Sequence, residues 1–253
     1  MDFEDITRCD PFPRVNENGD EKSDPVYISI SCDLEKNCYD RSGAGFMETA
    51  RLIQPSGDHE KAGRVIREIA GRLMSARTKG ELGSILVHEI LGYSIFDLQI
   101  IGGRLNNEIE KLPSPYREAI RPYFREQLFG KHHQLLAMHH TRALGRMDDP
   151  IRDREIFEKF CGMLPEGCFS WNDLSERNPY FRNPKNRFFY YLMAAFTMFV
   201  LDEPGHPVGM PFPGGFSVEH RGSDYYCLIR DKEKEIFYSI CNFCPAHQTE
   251  ESR

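Results

Sequence analysis

Three cysteines and a histidine lie close together near the C-terminal end of the sequence. Cys241 and Cys244 form a Cys-x-x-Cys pair, Cys227 precedes the pair, and His247 follows it. Thiolate and imidazole ligands suit Zn²⁺, which takes four nitrogen or sulfur ligands in a tetrahedron. We therefore predict that Cys227, Cys241, Cys244 and His247 bind a metal ion, with structural zinc as the favoured cofactor.

The identity of the fourth ligand and of the metal stays open at this point. His220, His206 and the more distant Cys168 are alternatives to His247 as the fourth ligand. An iron–sulfur cluster is an alternative to zinc, because a proline directly after a cluster cysteine, as at Cys244, also occurs in ferredoxin-type proteins. The first hypothesis is thus a metal-binding protein, and the second is an iron–sulfur or other metal-dependent redox enzyme.

A second set of ionisable residues interrupts apolar helical patterns. His88, Glu89 and Asp97 fall within one long apolar segment, and His132 and His139 share a face of a histidine-rich helix. Ionisable groups in such places are usually paired and sometimes catalytic. These five residues are weak candidates for a catalytic pocket between helices, and interhelical hydrogen bonding is the simpler interpretation.

Composition limits the kinds of partner that the chain can have. The 253 residues carry a net charge of −7, which disfavours general binding to nucleic acids. The longest apolar run, from residue 188 to 201, is too short for the roughly 20 residues of a membrane span. A stripe formed by Arg117, Arg121 and Arg125 supports a third hypothesis, an interaction module without catalysis.

The eight cysteines also carry information about cellular location. The first residues are acidic where a secretory signal would be basic and then apolar, so we expect a cytoplasmic protein with reduced thiols. Two pairs lie outside the C-terminal cluster and are interpreted as ordinary thiols: Cys32 with Cys38, and Cys161 with Cys168.

The elements that must position these residues are mainly helical. Residues 1–45 are irregular and contain one predicted strand, Val26–Ser31. Residues 46–203 have the three-and-four spacing of apolar residues that is typical of packed helices. Residues 204–253 form a Pro/Gly loop followed by a cysteine-rich β cap. We predict one domain, mainly α, closed by a small C-terminal antiparallel sheet that carries the Cys/His cluster.

Local signals define some of the boundaries within this domain. One long apolar helix is predicted from Gly80 to Lys111, with its bend or end at Gly102-Gly103. The pairs Asp149-Pro150 and Asn183-Pro184 each combine an N-cap residue with a first-turn proline and are predicted to begin helices. The cap is predicted to contain three strands, at residues 216–219, 225–229 and 236–240.

The C-terminal segment resembles a known family. The residues that carry the resemblance are the run from His206 to Gly215, Tyr225-Tyr226-Cys227, and Cys241-Asn-Phe-Cys244. Together they are similar to the signature of an uncharacterised protein family of methanogenic archaea, of the UPF-0305/DUF-2115 type. The resemblance implies an anaerobic cytoplasm, and it implies no reaction. The family pattern has Cys-Pro where this chain has Cys227-Leu228.

Overall fold

The computed structural model describes residues 59–170 and 183–249. The predicted strand Val26–Ser31 and the cysteines Cys32 and Cys38 lie outside these residues. Within them the protein is mainly helical, as predicted. The α-helices are α1 (His59–Ser75), α2 (Lys79–Ile90), α3 (Ile95–Glu110), α4 (Tyr116–Arg125), α5 (Lys131–His140), α6 (Arg154–Gly167) and α7 (Pro184–Ala195). Two π-helical turns, Glu126–Gly130 and Phe196–Val200, continue α4 into α5 and extend α7.

The long apolar segment forms two helices, which corrects the prediction of one helix bent at Gly102-Gly103. Helices α2 and α3 are joined by a short turn and are bent by 96° relative to each other. A capping box starts α3, because the Ser94 side chain accepts a hydrogen bond from the Asp97 backbone and Asp97 accepts one from Ser94. Gly102 instead lies inside α3, where a Cβ atom would be 3.4 Å from the ring of Phe129.

The structure also tests whether a helix could cross a membrane. No single helix of the described residues is long and apolar enough to do so. Helices α2 and α3 together reach the length and apolar composition of a membrane span, but they are separated by the sharp bend.

The α7 helix and its π-helical extension form the centre of the core. Asn183 caps the helix by accepting a hydrogen bond from Lys185, and Pro184 occupies its first turn, as the sequence predicted. Phe160 of α6 contacts Tyr191 and Phe199 edge-on or tilted, with ring centroids 6.2 and 5.2 Å apart. The aromatic packing between α6 and α7 therefore forms much of the core.

The predicted helix start at Asp149-Pro150 is wrong. Asp153 is the N-cap of α6 and accepts a hydrogen bond from Ile156. Pro150 instead forms an isolated antiparallel bridge with Thr78, which is the N-cap of α2. A tertiary contact at the start of α2 thus keeps this segment extended.

The C-terminal cap consists of short strands. Strands β1 (Pro211–Phe212) and β2 (Phe216–Ser217) form an antiparallel pair. Strands β3 (Glu219–Arg221) and β4 (Asp224–Cys227) form a second antiparallel hairpin, and β5 (His247–Gln248) pairs with β4 in parallel. The third strand predicted at residues 236–240 is absent from the described residues, where turns lead into a 3₁₀ helix, Ile240–Phe243.

We expect Gly80→Ala to lower the free energy of unfolding by about 1–3 kcal/mol, because Gly80 of α2 packs against backbone. A Cβ atom at this position would be 2.4 Å from the Leu144 carbonyl oxygen. The matched control is Gly71→Ala in α1, where the added Cβ would meet nothing within 4 Å apart from the adjacent backbone of its own helix. That variant should gain about 0.5–1 kcal/mol. Urea unfolding measures both values, and equal stability of the two variants would contradict the close contact.

Candidate functional site

The three C-terminal cysteines lie on two neighbouring segments of the cap. Cys227 ends β4, Cys241 lies in the 3₁₀ helix, and Cys244 is the C-cap of that helix. The 3₁₀ helix begins where the Ser239 side chain accepts a hydrogen bond from the Cys241 N–H group. All three cysteine residues are buried. Cys227 and Cys244, the two that are farthest apart in the sequence, are separated by 17 positions.

Backbone amides lie near two of the three thiols, and one of them donates to a sulfur atom. The Arg230 N–H group, in the turn that follows β4, donates to the Cys227 carbonyl oxygen at 3.5 Å, and the backbone amides of Ile229 and Arg230 act to lower the pKa of the Cys227 thiol. The Cys244 sulfur accepts a hydrogen bond of 3.4 Å from the Gly205 N–H group, and the Ala246 amide also acts to lower the pKa of this thiol. Such hydrogen bonds favour a negatively charged sulfur over a neutral thiol.

Burial acts on the thiols in the opposite direction. It raises the pKa of Cys227 to about 12 and also raises the pKa values of Cys241 and Cys244. For Cys241 the nearby charges of Glu233, Cys244 and Cys227 add to this effect. The thiols are thus near enough to influence one another, and a cation is needed to hold them together as thiolates.

The residues that the structure describes do not form a metal-binding arrangement. Within the described residues, no group of three or more Cys, His, Asp or Glu side chains has the geometry to hold a metal ion. The five cysteines of this part of the chain, Cys161 and Cys168 as well as the cluster, have free thiols. The cluster cysteines are neighbours that do not converge on one point, so the predicted zinc or iron–sulfur site stays a prediction.

His247 lies on the other face of the small sheet from Cys227. It pairs with Tyr226 in register, whereas Cys227 pairs with Gln248. Successive residues of a strand point to opposite faces, and the His247 side chain is 63% exposed. Its Nε2 atom is 3.8 Å from the Asp224 carboxylate. The structure therefore does not bring His247 to the three thiols.

The other predicted fourth ligands have different surroundings. His220 is exposed and stacks on Tyr225, with ring centroids 4.6 Å apart. Cys168 caps the C-terminal end of α6 and is near Arg187. His206 directly follows Gly205, whose N–H group contacts the Cys244 sulfur, and burial lowers the pKa of its imidazole to about 4.

The weak catalytic candidates on α2 and α3 make structural contacts. Glu89 is fully buried and forms an ion pair of 2.5 Å with Arg72 of α1. Asp97 completes the capping box of α3 and also forms an ion pair of 2.7 Å with Lys185, whose side chain is 7% exposed. His88 is partly buried on α2. These contacts support the interpretation that Glu89 and Asp97 hold helices together.

The histidines of α5 and the arginine stripe lie at or near the surface. His132 packs against Phe189 with centroids 5.6 Å apart, and burial lowers its pKa, whereas His139 is exposed. Arg121 forms an ion pair of 2.6 Å with Glu110, which also lies 3.6 Å from Arg117. This pairing within the chain favours a solvated face over a docking surface.

Several residues that lie near the thiols have no recognisable signal in the sequence. Arg230 donates from Nε to the Cys244 carbonyl oxygen at 3.1 Å. The Ser239 hydroxyl donates to Glu233, which places a carboxylate beside Cys241. Gly205 reaches Cys244 across 39 residues of sequence. Only the fold reveals these contacts.

A mainly helical body and a C-terminal cap with three buried thiols define the class of this protein. A family described as "Uncharacterized protein conserved in archaea (DUF2115)" matches residues 78–249, and the chain belongs to this family. The resemblance seen in the sequence is thereby confirmed. The matched range begins at the N-cap of α2 and includes the whole cap as far as β5.

Relatives with curated sequences come from methanogenic archaea. A UPF0305 protein of Methanocaldococcus jannaschii is 26% identical over 178 residues, covering 68% of this chain and 96% of the relative. One from Methanopyrus kandleri is 29% identical over 139 residues, covering 55% and 88%. One from Methanothermobacter thermautotrophicus is 40% identical over 58 residues, covering 23% and 37%. No solved structure matches the chain significantly.

We expect Asp97→Ala to lower the free energy of unfolding by about 3 kcal/mol, because it removes one half of the capping box of α3 and leaves Lys185 buried without its carboxylate. Asp153→Ala is the matched control, since Asp153 caps α6 through one hydrogen bond of 3.0 Å. That loss should be about 1 kcal/mol. Chemical denaturation compares the two variants. Similar losses would mean that the Asp97–Lys185 pair adds nothing.

Proposed function

We propose that the C-terminal cap binds one Zn²⁺ ion through Cys227, Cys241 and Cys244, and that this metal has a structural role. The observation that carries the proposal is a group of three buried, free thiols, one of which, Cys244, accepts a hydrogen bond from the Gly205 N–H group at 3.4 Å. An amide in this position stabilises a metal-bound thiolate and orients it. Inert thiols of an apolar core have no need of such a donor.

The charges around the thiols support the same conclusion. Three thiolates and one Zn²⁺ ion carry a net charge of −1. The guanidinium of Arg230 is close enough to lower the pKa of both Cys227 and Cys244, although burial outweighs this effect. A cation next to the sulfurs would offset the remaining negative charge of a zinc–thiolate centre. We expect the metal to draw the sulfurs in to about 2.3 Å from it.

The proposal includes the cellular location of the protein. A reducing, cytoplasmic location would keep all three thiols free, as they are in the structure. An iron–sulfur cluster is the second candidate, because the same three thiolates and the same amide donor would suit it. The two metals differ in colour: zinc gives no visible absorption, whereas an iron–sulfur cluster is brown.

We expect Cys241→Ala to abolish zinc binding, because only two of the three thiolates remain. Wild-type protein purified without oxygen should contain one zinc per chain, and chelation should lower its Tm by about 10 °C. Cys161→Ala is the control, since Cys161 is equally buried in α6 but lies outside the cluster. It should keep one zinc per chain. Elemental analysis, absorption spectra and thermal melts provide the three measurements.

Two outcomes would decide against structural zinc. If the metal-free protein melts at the same temperature as the purified protein, the structural role is excluded. A brown protein with equimolar or higher iron, lost in Cys241→Ala and kept in Cys161→Ala, would replace zinc by an iron–sulfur cluster.

A further inference from the structure

A cavity of about 710 Å³ lies where the first turns of α1 meet the end of α6. Gly63 and Arg67 of α1 line it, together with Phe169 after α6 and with Phe237 in the turns that follow β4. The volume is within the roughly 300–1,000 Å³ of small-molecule sites. Among the described residues, none of the cysteines lines this cavity, so it is a candidate site of its own.

A glycine keeps part of the cavity open. Gly63 is buried in α1, and a Cβ atom there would be 3.5 Å from the Arg67 Nη1 atom and 3.6 Å from the Phe169 ring. A larger side chain at this position would therefore fill the space between the guanidinium and the ring. With glycine, a cationic group and an aromatic ring lie close together around a space that a ligand can enter.

Two opposite charges line the cavity without a partner in the described part of the chain. The side chains of Arg67 and Glu166 form no hydrogen bond or ion pair with another described residue. The third charged lining residue, Glu60, is paired with Arg64 at 2.8 Å. Glu166 lies in the last turn of α6, where the helix carbonyl groups also favour a cation. The cavity thus offers one place for an anionic group and one for a cationic group.

Two phenylalanine side chains supply the apolar part of the lining. Phe169 is partly buried, whereas Phe237 is 49% exposed although it is large and apolar. A flat ring that enters the cavity would cover exposed surface of Phe237, and such burial is favourable. Aromatic rings also attract one another in offset or edge-to-face arrangements. The lining therefore favours a ligand that carries an aromatic ring.

We propose that this cavity binds a small zwitterion with an aromatic ring, of the chemical class of the free aromatic amino acids. The ligand carboxylate would pair with Arg67, its ammonium group with Glu166, and its ring would lie against Phe169 and Phe237. A simple anion would meet the Glu166 carboxylate, and an uncharged aromatic molecule would leave both charges unpaired. The inference goes beyond the proposed metal site and does not depend on it.

Ligand-observed NMR titration of the full chain with L-tryptophan and two analogues tests this site. We expect L-tryptophan to bind with a Kd on the order of 0.1–1 mM. Tryptamine lacks the carboxylate and indolepropionate lacks the ammonium group, so each should bind about tenfold more weakly.

Variants of the charged residues assign each group of the ligand. Arg67→Ala should weaken L-tryptophan binding about tenfold and leave tryptamine unchanged, because tryptamine has no carboxylate to lose. Glu166→Gln should weaken L-tryptophan equally and leave indolepropionate unchanged. Arg64→Ala is the matched control, since Arg64 is exposed on the same helix but does not line the cavity. It should bind L-tryptophan as the wild type does.

Three outcomes would overturn the inference. One is the absence of saturable binding of L-tryptophan, L-phenylalanine and L-tyrosine to the wild-type protein. Another is L-tryptophan binding that is unchanged in both Arg67→Ala and Glu166→Gln, which would place the ligand elsewhere. The third is indolepropionate or tryptamine binding as tightly as L-tryptophan, which would exclude a site for a zwitterion.

Discussion

The rest of the structure is arranged around the burial of one helix. Nearly every residue of α7 and its π-helical extension to Val200 is shielded from solvent. Helix α2, the π-helical turn after α4, and α5 all pack against this unit. A helix that is apolar on all sides is stable in water only when such neighbours cover it. The apolar composition of this one segment therefore requires that neighbouring helices cover it.

The same constraint determines how the chain leaves the core. Asp202 adopts φ of 55°, which turns the chain sharply at the end of the helix. Lys79 of α2 forms an ion pair of 2.7 Å with Asp202, and Lys131 of α5 forms one of 2.5 Å with Glu203. Helices α2 and α5, which cover the core, thus also fix the segment in which the chain leaves α7. The next residues lead to Gly205 and the cysteines.

Sequence patterns predicted the fold well where a local signal and the tertiary packing agree. Asn183 and Pro184 start α7 because the cap and the proline act within the same turn. The α2–α3 break was missed, although the spacing of Ser94 and Asp97 is that of a capping box and could have revealed it. Asp149-Pro150 has an equally good local signal, yet its pairing with the start of α2 overrides that signal.

The candidate site was predictable only in part, for a related reason. The spacing along the chain predicted that Cys241 and Cys244 lie together and that Cys227 is their neighbour. Spacing also suggested His247, but the pleat of a strand places it on the opposite face. The contact of Gly205 with Cys244 depends on the path of the whole helical body, so no local pattern could have indicated it.

The small size of the cap gives a physical reason for cysteines in these positions. Its strands are two to four residues long, and short hairpins of this kind are marginal in water by themselves. Packing of Phe243 against Phe160, with centroids 5.4 Å apart, attaches one end of the cap to α6. The chain from Leu228 to Ser239 forms only turns. A metal that joins Cys227 to Cys241 would close this segment, and loop-closure entropy for a loop of about 15 residues is worth about 3 kcal/mol. The cysteines thus lie at the two ends of the segment that regular structure stabilises least.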